Sequence, residues 1–291
     1  MKEFKGRTAV ITGAASGFGR EFARLGRQLG MRLVLSDVDP AGLDAAVAEL
    51  GGAPDVVGLK ADVADSDQVA RLAELARRSF GAVHLLFNNA GVGSGGFVWE
   101  NSLKDWEWVM SVNVMGVVHG LRHFVPGMLE ANRAGEPGHI VNTASMAGWL
   151  NAPLMGVYNV SKQAVVSLSE SLYHDLRLAG ATIGVSLLSP AFVPTGISQS
   201  HRNRPAHLAA DAPTDSQLAA QRQSLKAVES GKLNAADVAR ITFDAVREDR
   251  FYVFTHPQIL PLVGERFRHV MEGLAPADPY ASRPEVRPRV G

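Results

Sequence analysis

The sequence predicts an α/β fold, a Rossmann-like doubly wound parallel sheet of about seven strands with helices on both faces. Three observations predict it. Short β-branched runs alternate with amphipathic helical stretches, each strand-helix unit taking about 25–30 residues, the rhythm of right-handed crossovers and of a sheet covered on both sides. The first run, residues 8–11, enters the glycine-rich turn Thr12-Gly13-Ala14-Ala15-Ser16-Gly17-Phe18-Gly19 and then a helical pattern through Phe22, Leu25 and Leu29. The second run, residues 33–36, ends on Asp37.

The turn and the acid each imply chemistry. Glycine lets a phosphate approach the backbone, and the free N–H groups of the following helix face its charge. The spacing here, G-x-x-x-G-x-G, departs from the commoner G-x-G-x-x-G. Asp37 stands where such a fold places the acid that accepts hydrogen bonds from an adenosine ribose. A carboxylate there receives a 2′-hydroxyl and repels a 2′-phosphate. The neighbouring positions for a phosphate-binding arginine hold Ser16 and Val38, so NAD is favoured over NADP. Asp37 in S-D-V-D-P also has a plain reading as a turn cap.

Composition narrows the function classes. The 291 residues are 46% hydrophobic and 20% charged, and 29 basic residues balance 29 acidic ones. No net field draws nucleic acid or an anionic membrane. Without cysteine there are no disulfides, thiolate metal sites or cysteine nucleophiles. No apolar run approaches the ~20 residues of a membrane span, and M-K-E-F-K-G-R lacks the apolar core of a signal peptide. A cytoplasmic protein acting on a small molecule is expected.

The remaining elements follow in order. A helix over 41–50 and a strand over 56–60 lead to Asp62-Val63, and a helix over 66–79 places Val69, Leu72 and Leu75 on its apolar stripe. A strand over 83–87 is broken by Asn88-Asn89-Ala90-Gly91. After a loose glycine-rich stretch, one long helix over about 103–129 contains Asn113, a residue unfavourable in mid-helix unless its side chain is used. The strand over 140–143 delivers Ser145, and the strand over 183–188 ends at Ser189-Pro190-Ala191-Phe192-Val193-Pro194-Thr195. A polar stretch over 196–232 reads as a lid containing a helix over 217–229. A helix over 235–246, a strand over 251–255 and a helix over 259–271 close a single domain, 1–275, and the proline-rich tail 276–291 is expected to be poorly ordered unless a partner subunit holds it.

The chemistry concentrates in residues 145–162, S-M-A-G-W-L-N-A-P-L-M-G-V-Y-N-V-S-K. Tyr158 and Lys162 are four positions apart and share one face of a helix. A phenol ordinarily ionises near pH ~10, and a neighbouring ammonium lowers that value toward the range useful for proton exchange.

With these elements in place the chain resembles the short-chain dehydrogenase/reductase family over about residues 6–255. The resemblance rests on T-G-A-A-S-G-F-G, Asp62-Val63, N-N-A-G at 88–91, Asn113, Ser145, Y-N-V-S-K at 158–162 and P-A-F-V-P-T at 190–195. It implies a homotetramer or homodimer built through the helices near Asn113 and Tyr158. It further implies that Tyr158 exchanges a proton with the substrate oxygen, Lys162 lowers its pKa and binds the nicotinamide ribose, and Ser145 steadies the oxygen. Asn113 would hold a water in a proton relay behind the lysine. Asp62 and Val63 would contact adenine, while Gly13, Ser16, Gly17, Phe18, Gly19, Asn89, Ala90, Gly91, Pro190, Val193 and Thr195 would line the rest of the cofactor. Two departures are visible: Ala191 stands where the family often has glycine, and Phe18 where it has a branched aliphatic residue.

Other signals are weaker. His119 and His123 have metal-ligand spacing, but Gly120 replaces the glutamate of H-E-x-x-H and no third ligand is apparent, so no metal is expected. Arg202, Arg204, His201 and His207 read as a solvated basic loop. Trp99, Met146, Trp149, Leu150, Met155 and Phe192 are expected to wall a pocket for a bulky hydrophobic aryl or alicyclic alcohol or ketone. Two further readings stay open, an NADPH-linked ketoreductase and a non-catalytic dinucleotide-sensing regulator.

Overall fold

The computed structural model describes residues 1–210, 212–229, 231–281 and 284–290. Strands β1 (Thr8–Thr12), β2 (Arg32–Asp37), β3 (Val56–Lys60), β4 (Leu85–Asn88), β5 (His139–Thr143), β6 (Gly184–Ser189) and β7 (Tyr252–Phe254) form one parallel sheet in the order β3-β2-β1-β4-β5-β6-β7. The helices are α1 (Gly17–Gln28), α2 (Pro40–Glu49), α3 (Ser66–Phe80), α4 (Leu103–Met110), α5 (Gly116–Arg133), α6 (Gly156–Leu178), α7 (Asp215–Glu229), α8 (Ala235–Glu248) and α9 (Leu260–Met271). The chain changes direction across the sheet between β1 and β4, paired as Ile11 with Phe87, and such a switch point opens a crevice beyond the strand ends.

Alternation along the strands builds two cores. Ile11, Leu33 and Leu35 face Phe22 of α1 and Phe243 of α8, while Val10, Val34 and Leu86 face Leu72 of α3 and Phe124 of α5. Phe22 stacks on Phe87 at 4.6 Å and Phe87 packs on Phe243 at 5.6 Å, so one aromatic column ties α1 and α8 to the sheet.

Three sequence readings are corrected. The helix expected over 103–129 is interrupted by a π-helical turn, Ser111–Met115, between α4 and α5. The inner stripe of α3 uses fully buried Ala76, with Leu75 only partly buried against the same core. The stretch 196–232 holds two 3-10 turns, Gly196–Asn203 and Ala206–Leu208, before α7, which starts two residues earlier than expected. Residues 211 and 230 of that stretch, and 282, 283 and 291 of the expected tail, lie outside the described residues. Within the described tail, the Gln223 amide of α7 donates to the Tyr280 hydroxyl at 2.8 Å. No described helix is long and apolar enough to cross a membrane.

Gly120 has a structural explanation. A Cβ there would stand 2.0 Å from Oδ1 of Asn88, whose amide donates to Asn142, which in turn donates to Ser169. Gly120→Ala is therefore expected to destabilise the fold by about 2 kcal/mol, the usual scale of core overpacking, read as a lower urea midpoint. An unchanged midpoint would contradict the tight seat of α5 on β4.

Candidate active site

The glycine turn is shaped by contact. Gly13 and Gly17 hold φ of +68° and +55°, and a Cβ on Gly19 would lie 2.0 Å from the Gly13 carbonyl oxygen. This brings the start of α1 against a cavity of about 520 Å³ lined by Gly13, Ser16, Gly17 and Phe18 at one end. The Ser16 side chain does not cap α1 and the first turn carries no acid, so the helix start keeps its donors for an anion.

Asp37 forms the wall at the end of β2, and its two readings coexist. Its Oδ2 accepts from Ala15 N at 2.9 Å and Oδ1 from Asp39 N at 3.0 Å, so it braces the turn while lining the cavity. Burial pushes its pKa up, and these backbone donors pull it back. Asp62 and Val63 follow β3, where Asp62 Oδ1 accepts from Ala64 N and the Val63 carbonyl accepts from His119 Nδ1, each at 2.9 Å. A carbonyl can only accept, so His119 carries its proton on Nδ1. His123 pairs with the Ser66 hydroxyl at 2.9 Å, and no metal-binding cluster occurs among the described residues. The two histidines thus pin the β3–α3 loop.

Thr12, which the sequence reading passed over, organises the far side. Its hydroxyl oxygen accepts from Asn89 N and Ala90 N at 2.9 and 3.1 Å, and the Asn89 amide donates to the Thr12 carbonyl. Asn89, Ala90, Gly91, Pro190 and Thr195 all line the cavity. Val193 instead turns into the core beneath α1.

Asn113 sits in the π turn, a feature that recurs where a helix serves a site. Its Oδ1 accepts from Val92 N at 2.8 Å, and its amide donates to Val92 O at 2.9 Å and to Ser161 Oγ at 3.0 Å. Both amide protons are spent, so a relay water could be held only by an Asn113 oxygen. The residue ties the loop after β4 to α6, the helix that carries Tyr158 and Lys162.

Tyr158 and Lys162 are 9% and 3% exposed. Lys162 Nζ donates to the Thr143 carbonyl at 2.9 Å and lies 5.7 Å from the Tyr158 ring centroid. Burial lowers the Lys162 ammonium to about 8 and pushes the Tyr158 phenol up to about 12, with the Ser145 hydroxyl pulling the phenol the other way. The expectation of a lowered phenol is therefore reversed here: the ammonium is engaged by a carbonyl, and desolvation of the phenolate wins. Ser145 Oγ accepts from Ala147 N at 3.1 Å and donates to Pro190 O at 3.4 Å.

Residues 7–206 match the family model described as short chain dehydrogenase. The chain belongs to the short-chain dehydrogenase family. It is 57% identical to a short chain dehydrogenase/reductase from Burkholderia phymatum solved in complex with NAD, with a TM-score of 0.92 over 96% of this chain and 99% of that one. It is 33% identical to the CLA biosynthesis dehydrogenase/reductase of Lactiplantibacillus plantarum over 95% of this chain and 97% of the relative. It is 34% identical to the 1-deoxy-11-beta-hydroxypentalenate dehydrogenase of Streptomyces avermitilis, over 92% and 91%.

In this member of the family the six residues expected to wall the substrate pocket lie apart. Met146 and Trp149 enter a core cluster; the indole N–H donates to Ser189 Oγ at 3.0 Å and the ring packs edge-on against Tyr252 and Phe254. Leu150 packs on the same cluster. Met155 is half-buried and bridges to Gly96, while Trp99 and Phe192 are 76% and 53% exposed. None of the six lines the 520 Å³ cavity. The 3-10 turn Met146–Gly148 winds Trp149 inward, an outcome that apolar character alone does not specify.

Proposed function

We propose that the chain is an NAD-dependent oxidoreductase that interconverts a secondary alcohol and a ketone. One observation carries the reading: Tyr158 and Lys162 open onto the same cavity as the glycine turn and Asp37, so a proton-exchanging phenol and a dinucleotide cradle share one space. The nicotinamide, when bound, supplies hydride chemistry. Ser145 orients the substrate oxygen and stabilises developing charge on it. Tyr158 gives or takes the proton on that oxygen. Lys162 and Asn113 hold Tyr158's helix and the loop after β4 in register.

NAD is preferred because a 2′-phosphate would face the Asp37 carboxylate with Ser16 and Val38 beside it and no arginine at either position. The NAD complex of the Burkholderia phymatum relative supports this. The substrate is a bulky hydrophobic alcohol or ketone, met by half-buried Met155 and exposed Phe192 and Trp99 rather than by Met146, Trp149 and Leu150, which pack in the core cluster. The exposed apolar side chains of Met115 in the π turn and of Val160 and Leu178 on α6 support assembly as a homotetramer or homodimer.

The test is a panel of secondary alcohols offered with NAD or NADP and followed by absorbance of the reduced cofactor. Aromatic and alicyclic alcohols are expected to lead, with NAD favoured by at least ~10-fold, about 1.4 kcal/mol. Activity confined to short polyols would refute the substrate reading, and tighter NADPH than NADH binding would refute the role of Asp37.

A further inference from the structure

The two arginines of the stretch after β6 are used in opposite ways. Arg204 is held by an acid: its Nη1 meets Asp105 Oδ1 at 2.6 Å, both side chains are less than a tenth exposed, its Nη2 is buried without a hydrogen-bond partner among the described residues, and its guanidinium lies 5.1 Å over the Trp108 ring. Arg202 has no carboxylate partner among the described residues. Its Nη1 donates to the carbonyls of Gly196 and Gln199 at 2.9 and 3.0 Å, which fixes one end of the guanidinium and leaves Nη2 and Nε with no hydrogen-bond partner among the described residues.

The position of Arg202 is set from both sides. Two residues before it, Ser200 Oγ accepts from Gly93 N at 3.1 Å; two residues after it, Arg204 locks onto α4. Its Nη2 comes within 3.0 Å of where a Cβ on Gly196 would stand, and the preceding Thr195 side chain comes within 3.4 Å of the corresponding point on Gly17. The guanidinium therefore lies against Gly196, the neighbour of the Thr195 that touches the glycine turn, on the same cavity as Ser16, Gly17 and Thr195. Lys162 is the other lysine or arginine lining that cavity, and it is engaged by Thr143 beside Tyr158. Asp37, Asp62, Asp65 and Glu107 also line it, so an anion entering the cavity needs a cation at the glycine-turn end.

We infer that Arg202 is the counter-ion of the dinucleotide's pyrophosphate, carried to the glycine turn by a strap that Ser200 and the Arg204–Asp105 pair hold in place. The inference rests on the dinucleotide reading of the cavity. A planar guanidinium whose Nε–Nη2 edge is free suits a pair of phosphate oxygens better than a point-like ammonium does.

The test compares wild type, Arg202→Gln and Arg202→Lys in binding NADH by fluorescence, and ADP and adenosine by displacement of NADH. Arg202→Gln is expected to weaken NADH and ADP by ~10-fold or more, the scale of a charge-assisted bond, and to leave adenosine within about twofold. Arg202→Lys should recover part of the loss, and added salt should narrow the gap between wild type and Arg202→Gln. Equal weakening of all three ligands would mean that Arg202 only supports the strap, and unchanged affinities would mean that it does not meet the phosphates; either overturns the inference alone. Wild type that binds neither NADH nor NADPH would overturn it together with the dinucleotide reading.

Discussion

Tyr158→Phe is expected to lower kcat for alcohol oxidation by ~10³-fold, within the range removed with a positioned acid or base, while NADH affinity stays within about threefold. The substitution deletes one oxygen and keeps the buried ring, including its contact with the Lys162 ammonium 5.7 Å from the centroid. The end of the cavity proposed to hold the dinucleotide is braced by the Ala15–Asp37 and Asn89–Thr12 hydrogen bonds, which do not pass through the phenol. A pH signature accompanies the loss. The phenol must be ionised to accept a proton, and burial holds it protonated up to about 12, so wild-type oxidation should keep rising with pH through the neutral and alkaline range. The Phe variant's residual rate should lack that rise. Turnover equal to wild type, or an identical pH slope, would remove Tyr158 from the reaction.

What was legible in the sequence was whatever depends on local pattern. β-Branched runs flanked by glycine or asparagine gave the seven strands to within about a residue or two, the usual ambiguity of element ends. The glycine turn and Asp37 were legible because their spacing along the chain fixes their place at the strand ends. Facts set by tertiary partners were not legible. The π turn at Asn113 lies where Val92 and Ser161 claim its side-chain amide, and both partners are remote in sequence. Trp149 turns inward because Ser189 offers an acceptor at the end of β6. Arg202 and Arg204 read alike in a basic loop, and only the fold gives one of them Asp105. The phenol's pKa was misjudged because helical spacing predicts nearness to Lys162, whereas burial and the Thr143 carbonyl decide the balance.

Acid should unfold the protein with His139 as a leading contributor. The ring is 0% exposed at the start of β5, and Nε2 lies 2.8 Å from Ser186 Oγ. That hydroxyl gives its one proton to the Arg250 carbonyl at 2.7 Å, so the histidine must donate through Nε2 and Nδ1 is bare. Nδ1 has no hydrogen-bond partner among the described residues and lies 3.6 Å from Asp249 Oδ1. The Asp249 carboxylate would favour protonation, but it is 57% exposed and water-screened, and burial prevails, lowering the imidazole to about 3. The unfolded chain binds this proton near its ordinary value of 6.5 and the folded chain does not. The contribution to stability is therefore complete above pH ~6.5 and is lost as pH falls toward 3, at about 1.4 kcal/mol per unit and on the order of 5 kcal/mol in all.

His84, one strand over, adds in the same direction because burial lowers it despite Glu136. Urea midpoints measured between pH 8 and 4 should fall accordingly. His139→Leu should be less stable at pH 8, because Ser186 loses its donor, yet show a shallower decline below pH 6.5. A slope identical to wild type would exclude His139. The same strand ends near Ser145, so two acid effects on activity must be separated. Loss that follows the Tyr158 phenol is gradual and reverses with pH while the fold persists, whereas loss through His139 is cooperative and coincides with unfolding.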